Sequence, residues 1–289
     1  MSGKRIFLYF LFFLAAFAVC LVLRFPGKEM AGYCTRSLAK PDSNLRVSIG
    51  NVKPAFPFHL EFENTEFYLG PDAVLKPDTF AVLPGLFNFF KTEKTIDIRS
   101  ALHKGTVNAR LYLKSIHPYV FSNAKGAVSG VKINGFKYIT DLGDITLNCE
   151  MEGDTKFDVT EEKGIKGDGI FLFRKFSAEM KNSFFNTLNI HLVDFSDIQV
   201  DFTHQGNVVT IKQCAAKGSI INIAIKGTIE IVSPLKESRL SLSGSLLPDS
   251  PYLAKFAHTN TVKAITKDTA REGIRFNITG TFKNPEIGL

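Results

Sequence analysis

Apolar and polar residues alternate one by one along much of this chain. At 275–279, for example, Phe276 and Ile278 occupy one parity, while Arg275, Asn277 and Thr279 occupy the other. Successive side chains of a β-strand point to opposite faces, so this segment is predicted to be a strand with one apolar and one polar face. Because exposing a large apolar area to water is unfavourable, another sheet, a membrane or a lipid must cover the apolar face.

The same alternation recurs in segments that are separated by turn residues such as Gly, Asn and Pro. We predict a mainly β protein in which about ten strands form a large antiparallel sheet, curled or sandwich-like, with one or two short helices. The helices are predicted at 28–40 and 251–269, and the predicted turns include Gly126, Gly130 and the segment 167–169. The apolar face is predicted to serve as a closed core or as a groove. Its members are Phe58, Leu60, Phe62, Ile145, Leu147, Met151, Ile198, Val200, Phe202, Ile221, Ile223, Ile225, Leu240, Leu242, Phe276 and Ile278.

The amino-terminal residues 6–23 contain no charged side chain. As a helix, this run of eighteen residues is about 27 Å long, enough to cross the hydrocarbon of a bilayer. We therefore predict a transmembrane anchor within residues 1–24, with the amino end inside, and a β-rich domain at 25–289 outside the inner membrane. A cleaved signal peptide is the alternative, since Ala16-Phe17-Ala18 fits the small-x-small cleavage rule. The predicted anchor residues are Ile6, Phe10, Phe13, Phe17, Leu21 and Leu23.

The charge balance of the chain is basic. It carries 35 Lys and Arg against 28 Asp and Glu, which gives a net charge of +7. Such an excess suits nucleic acids or anionic lipid headgroups. The basic residues are scattered singly along the predicted strands, however, without a block or a helical stripe. We therefore predict no nucleic-acid partner.

The sequence pattern contains no combination of residues that is typical of catalysis or metal binding. The six histidines are isolated from one another, and none forms a ligand pair. The segment GIKGDG at 164–169 lacks the Gly-Lys-Ser/Thr ending of a phosphate-binding loop. Cys149 lies on the apolar parity of its segment, which predicts a buried free thiol. We predict a protein with no enzymatic activity, no cofactor and no metal site.

Three short motifs, in a fixed order, carry a resemblance to a known family. They are Ile49 followed by PAFP at 54–57, the Gly105-x-Val107 turn and strand, and GTFKNP at 280–285. Together with the single span and the amphipathic strands, they resemble the type II secretion system protein GspN family, in the short form found in delta-proteobacteria. The resemblance implies an inner-membrane component for protein transport, with its sheet in the periplasm and other secretion subunits as partners. That family supplies no catalytic residues.

The strand pattern is also similar to the wider AsmA-like group, which implies an alternative function. In the first hypothesis the sheet closes over its apolar face, and its outer surface docks to secretion subunits. In the second, phospholipid acyl chains lie in an open groove, where each buried methylene contributes about 0.8 kcal/mol without any polar recognition. Alternation along the strands is the same in both hypotheses, so it does not separate them.

Overall fold

The computed structural model describes residues 3–38, 45–55, 59–84, 94–116, 119–135, 145–160, 164–180, 192–218, 221–248 and 274–288. Within these residues the chain is mainly β, with two helices at the amino end followed by seventeen strands. The predicted helix at 251–269 and the predicted face residue Phe58 lie outside the described residues.

The helices are α1 (Gly3–Leu23) and α2 (Gly27–Leu38). The strands of the first half are β1 (Leu45–Ser48), β2 (Asn51–Ala55), β3 (His59–Glu63), β4 (Glu66–Leu69), β5 (Asp72–Leu75), β6 (Thr79–Pro84), β7 (Lys94–Leu102), β8 (Gly105–Ile116) and β9 (Tyr119–Lys132). Those of the second half are β10 (Ile145–Thr160), β11 (Gly164–Met180), β12 (Leu192–Gln205), β13 (Val208–Gly218), β14 (Ile221–Glu230), β15 (Arg239–Pro248), β16 (Ile274–Gly280) and β17 (Pro285–Gly288).

Fourteen of the described strands form one antiparallel sheet. From β7 to β16, every strand pairs with the strands that come directly before and after it in sequence. The order continues from β7 through β6 and β3 to β2 at one edge, and β17 forms the other edge. Strands β1, β4 and β5 make a separate three-stranded sheet beside the β2 end. The predicted large antiparallel sheet is therefore confirmed.

The predicted curled or sandwich-like arrangement is wrong. Apart from marginal contacts, the described strands touch only their hydrogen-bonded neighbours, and β2 does not pair with β17. The sheet is not curled but is a single open layer. The alternation of residue types fixes the two faces of each strand but not the curvature of the sheet, so the same pattern is compatible with an open layer.

Helix α1 coincides with the uncharged amino-terminal run. The described side chains of the predicted anchor are between 53% and 78% exposed; they are Ile6, Phe10, Phe13, Phe17 and Leu23. The backbone at Leu21 is helical, and its side chain is outside the described set. Among the residues that the structure describes, no helix is long and apolar enough to cross a membrane.

Helix α2 packs against the β2 end of the sheet. Glu29 in its first turn and Arg36 in its last turn both complement the helix dipole. Its Ala31 side chain is buried together with Ile49 and Val52 in a small core. Partly buried neighbours complete that core; they are Phe25, Met30, Cys34, Val47, Leu60 and Phe62. One end of the sheet is thus covered by a helix.

Several predicted turns are instead the interior of long strands. Gly126 and Gly130 lie within β9, and the segment 167–169 lies within β11, which is 17 residues long. Gly130 alone of these has a positive φ, at a register irregularity between β9 and β10. The other glycines continue the ladder: the rings of Phe157 and Phe202 lie beside Gly167 and Gly169, and the Thr155 side chain lies beside Gly126.

Candidate functional site

One face of the large sheet is apolar from its first strand to its last, and we call it the apolar face. Residues that are directly paired on neighbouring strands project to the same side, so the register defines this face row by row. One row runs through Val52, Phe62, Phe80, Ser100, Val107, Val128, Gly153, Phe171, Val200, Cys214, Ile225, Gly244 and Phe276. A sheet of fourteen strands has thirteen steps of about 4.8 Å, so the face is roughly 60 Å long.

The structure brings the described face residues of the sequence prediction together on this apolar face. Phe62, Val200, Ile225 and Phe276 lie in the row just described. The parallel rows contain Leu60, Met151, Ile198, Phe202, Ile223, Leu240, Leu242 and Ile278, while Leu147 and Ile221 lie on the same parity at the ends of β10 and β14. Ile145 occupies the matching backbone position at the start of β10. Phe202 is buried and the others with described side chains are half-buried.

Several strongly buried residues of the face were not predicted, and two of them lie on β12. Val193 and Phe195 of β12 are only 8% and 6% exposed, and they pack with Ala216. They have odd numbers, whereas Ile198 and Val200 on the same strand have even numbers. A β-bulge between Phe195 and Asp197 causes this change of parity. The register shift, rather than the alternation of residue types, therefore decides which residues of β12 lie on the apolar face.

Pairs of phenylalanine and glycine flatten the apolar face. In each pair the two residues are direct partners on neighbouring strands; the pairs are Phe157 with Gly167, Phe171 with Gly153, Phe202 with Gly169, Phe195 with Gly218, and Phe276 with Gly244. A Cβ atom added at Gly169 would lie 2.8 Å from the Phe202 ring. The rings of Phe171 and Phe202 are stacked, with centroids 5.3 Å apart and planes 12° apart. The face is therefore a low-relief surface of rings and aliphatic groups.

Few polar side chains interrupt the apolar face. His204 lies on it with its ring 6.1 Å from that of Phe157, and its Nδ1 is buried without a hydrogen bond to any described residue. Cys149 is buried and is a free cysteine, as predicted. Burial raises the pKa of the Cys149 thiol to about 11, so it stays protonated at neutral pH. Such a surface favours a ligand that needs no hydrogen bonds.

The two ends of the apolar face differ. At the β2 end, α2 covers Val52, and the ring of Phe67 from the small sheet packs edge-on against Phe80 at 5.5 Å. At the opposite end, Ile287 of β17 pairs with Ile278 and is 72% exposed. The face is therefore closed by protein at its amino-terminal end and reaches solvent at its carboxyl-terminal end.

Comparison with protein-family models, curated proteins and solved structures finds no match to this chain. The resemblance to GspN and AsmA-like proteins accordingly stays a prediction.

The opposite face of the sheet is polar and carries ion pairs between neighbouring strands. Arg110 donates two hydrogen bonds to Asp97, at 2.6 and 3.1 Å. Hydrogen bonds from Lys53 and Asn51 to Glu63 lower the pKa of that carboxyl group. These contacts keep charges solvated and paired outside the apolar face. Among the described residues, no group of three or more His, Cys, Asp or Glu side chains is arranged to hold a metal ion.

Proposed function

We propose that the apolar face binds phospholipid acyl chains and that the protein holds or transfers lipid. One observation carries this proposal: beyond the end that α2 and the small sheet cover, the apolar surface of the fourteen-stranded sheet has no second layer of described strands over it. A face of this size is unfavourable in water, since buried apolar area contributes about 25 cal/mol per Å². An occupant with no polar groups along its length would remove that cost.

Acyl chains fit the chemistry of the face. They are long, flexible and without hydrogen-bonding groups, and the face offers phenyl rings, aliphatic side chains and glycines. Ten methylenes taken out of water contribute about 8 kcal/mol of gross transfer free energy. The face has no set of polar side chains that converge on a headgroup, so we expect binding that depends on chain length more than on headgroup type.

We also propose that α1 anchors the protein in the bacterial inner membrane, with residues 25–289 in the periplasm. Support comes from the uncharged sequence run 6–23, including positions 15, 18 and 21, whose side chains lie outside the described set. Helix α2 begins at Gly27, directly after α1, and packs on β2. The closed end of the apolar face would then lie nearest the membrane.

Lipid analysis of the purified protein tests the lipid-binding proposal. The chain without residues 1–24 is purified in the absence of detergent, and its bound lipids are extracted and quantified by mass spectrometry. We expect at least one phospholipid per protein molecule, with little selection between headgroups. A folded, monodisperse protein that contains no lipid would contradict the proposal.

A role in a type II secretion assembly is a second candidate function, favoured by the open sheet edge. All four residues of β17 are exposed, and its outer side pairs with no described strand. A secretion subunit would pair with this edge through backbone hydrogen bonds. Deleting residues 281–289 should then abolish co-purification with secretion subunits. Unchanged co-purification of the shortened chain would count against this role.

A further inference from the structure

We propose that a groove near the carboxyl-terminal end of the sheet is a binding site for the phosphate group of an anionic ligand. The groove has a volume of about 670 Å³ and is formed by β13, β14, β15 and β16. Its cationic lining consists of Lys212, Lys226 and Arg275. Two hydroxyls and two amides, but no carboxylate, complete the polar lining among the described residues.

The strand register places these polar groups on one side of the sheet. Lys226 pairs with Ser243, which pairs with Asn277, and these residues form one row across three strands. In the adjacent row, Ser245 pairs with Arg275. Rows two residues apart are separated by about 7 Å and neighbouring strands by about 4.8 Å. Hydroxyl, amide and guanidinium donors are therefore grouped within the dimensions of one or two phosphate groups.

A β-bulge adds the third cation to the groove. Ile211 and Cys214 of β13 both lie on the apolar face, opposite Gly227 and Ile225. The two residues between them therefore both project to the polar side and face the single residue Lys226. One of these two residues is Lys212, and it is exposed. The irregularity of β13 thus places a second lysine beside Lys226, where regular pairing would place only one residue.

Placing Lys212 beside Lys226 is unfavourable without an anion. Like charges on directly neighbouring strands destabilise a sheet, and neither Lys212 nor Lys226 forms an ion pair with any described residue. The nearest carboxylate by register is Asp201, which lies opposite the bulge formed by Lys212 and Gln213 but makes no ion pair with either lysine. A bound anion would relieve the repulsion between the lysines and accept hydrogen bonds from the serines and from Arg275.

A second groove, on β10 and β11 of the same sheet, has the opposite charge pattern. It has a volume of about 400 Å³, and its lining contains the single lysine Lys156 together with Glu152, Asp154 and Asp168. Carboxylates neutralise the cation there. The two grooves lie on the same sheet and differ mainly in the sign of their charge, so the second groove provides a matched control.

Phosphate is the anion that this donor set fits best. Lysine acts as a mobile point charge towards phosphate oxygens, while the planar fork of arginine donates two parallel hydrogen bonds. A phosphate can come from a soluble phosphorylated compound or from a lipid headgroup. The site lies on the face opposite the proposed acyl-chain surface, so it is a separate site and stands independently of the lipid-binding proposal.

Calorimetric titration of the full-length chain in a non-ionic detergent tests the proposal. The probes are inorganic pyrophosphate and glycerophosphoglycerol, the deacylated headgroup of an anionic phospholipid. The variants are Lys212→Gln/Lys226→Gln, and Lys156→Gln in the control groove. We expect the double variant to lose at least about tenfold in affinity, because two charge-assisted hydrogen bonds are removed, while Lys156→Gln binds as the wild type does.

The outcomes separate the two ligand sources and leave the proposal open to refutation. Binding of pyrophosphate alone indicates a soluble phosphorylated ligand, and binding of glycerophosphoglycerol indicates a lipid headgroup. If neither probe binds, or if the double variant binds as well as Lys156→Gln does, the site is overturned. Phospholipid on the apolar face is measured separately, on the detergent-free Lys156→Gln variant without residues 1–24, so failure of the phosphate site is distinguishable from failure of the lipid-binding proposal.

Discussion

Val200→Asp is expected to reduce the phospholipid bound by the purified protein at least about tenfold. Val200 is half-buried in the middle of the apolar face, between Phe171 and Cys214 on the neighbouring strands. A carboxylate at this position would have to lose its hydration wherever an acyl chain covers it, at a cost of several kcal/mol. The measurement is the molar ratio of extracted phospholipid to protein, by mass spectrometry.

Gln199→Asp is the matched control, because Gln199 is the exposed neighbour of Val200 on the opposite face of β12. It introduces the same charge at almost the same place in the chain, and we expect it to retain lipid. Ile278→Asp, close to the open end of the face, provides a second test in case Val200→Asp does not fold. If both folded variants retained as much lipid as Gln199→Asp, the apolar face would not be the lipid site.

Gly169→Ala is expected to lower the free energy of unfolding by about 1–3 kcal/mol, the usual range for an overpacked site. A Cβ at this position would lie 2.8 Å from both Phe202 Cζ and Thr155 Cγ2, and 2.9 Å from the backbone oxygen of Asp154. Backbone atoms of a paired strand cannot move away without disturbing the ladder, so the strain is not easily relieved. Denaturant unfolding, followed by circular dichroism, measures the change.

Gly288→Ala is the control for Gly169→Ala, since an added Cβ there has no atom within 4 Å. We expect a change within about 1 kcal/mol, including the entropy that alanine removes from the unfolded chain. Phe202→Ala should relieve part of the strain, so a double-mutant cycle with Gly169→Ala should show a coupling of at least about 0.5 kcal/mol. Equal stability of the Gly169→Ala and Gly288→Ala variants would show that the phenylalanine–glycine pairs do not determine the packing.

The alternation of residue types predicted much of the sheet. It identified the apolar parity of β3, β12, β14 and β16, because each of these strands has a long stretch in which the period of two is unbroken. It also predicted helix α2 within two residues at each end. Both features follow from the regular side-chain spacing of a strand or a helix, and a short stretch of sequence shows that spacing directly.

Other features of the sheet were not predictable from the local sequence, or the local sequence predicted them wrongly. The glycines of β11 have the composition of a turn, yet they continue a strand because the rings of Phe157 and Phe202 lie over them from the neighbouring strands. The bulge in β12 reverses the inward parity at Val193 and Phe195. Each effect depends on a residue of another strand, which no window along the chain contains.

By itself, the sequence determined that this protein is a large antiparallel sheet with an apolar side and a polar side, preceded by an uncharged helical run. Side-chain period is a property of the extended backbone, so this much follows from the order of residues. Only the tertiary structure decided that the described strands remain a single open layer and that Lys212 stands beside Lys226. Both depend on which strands pair and in what register, and these are decided by residues that lie far apart in the chain.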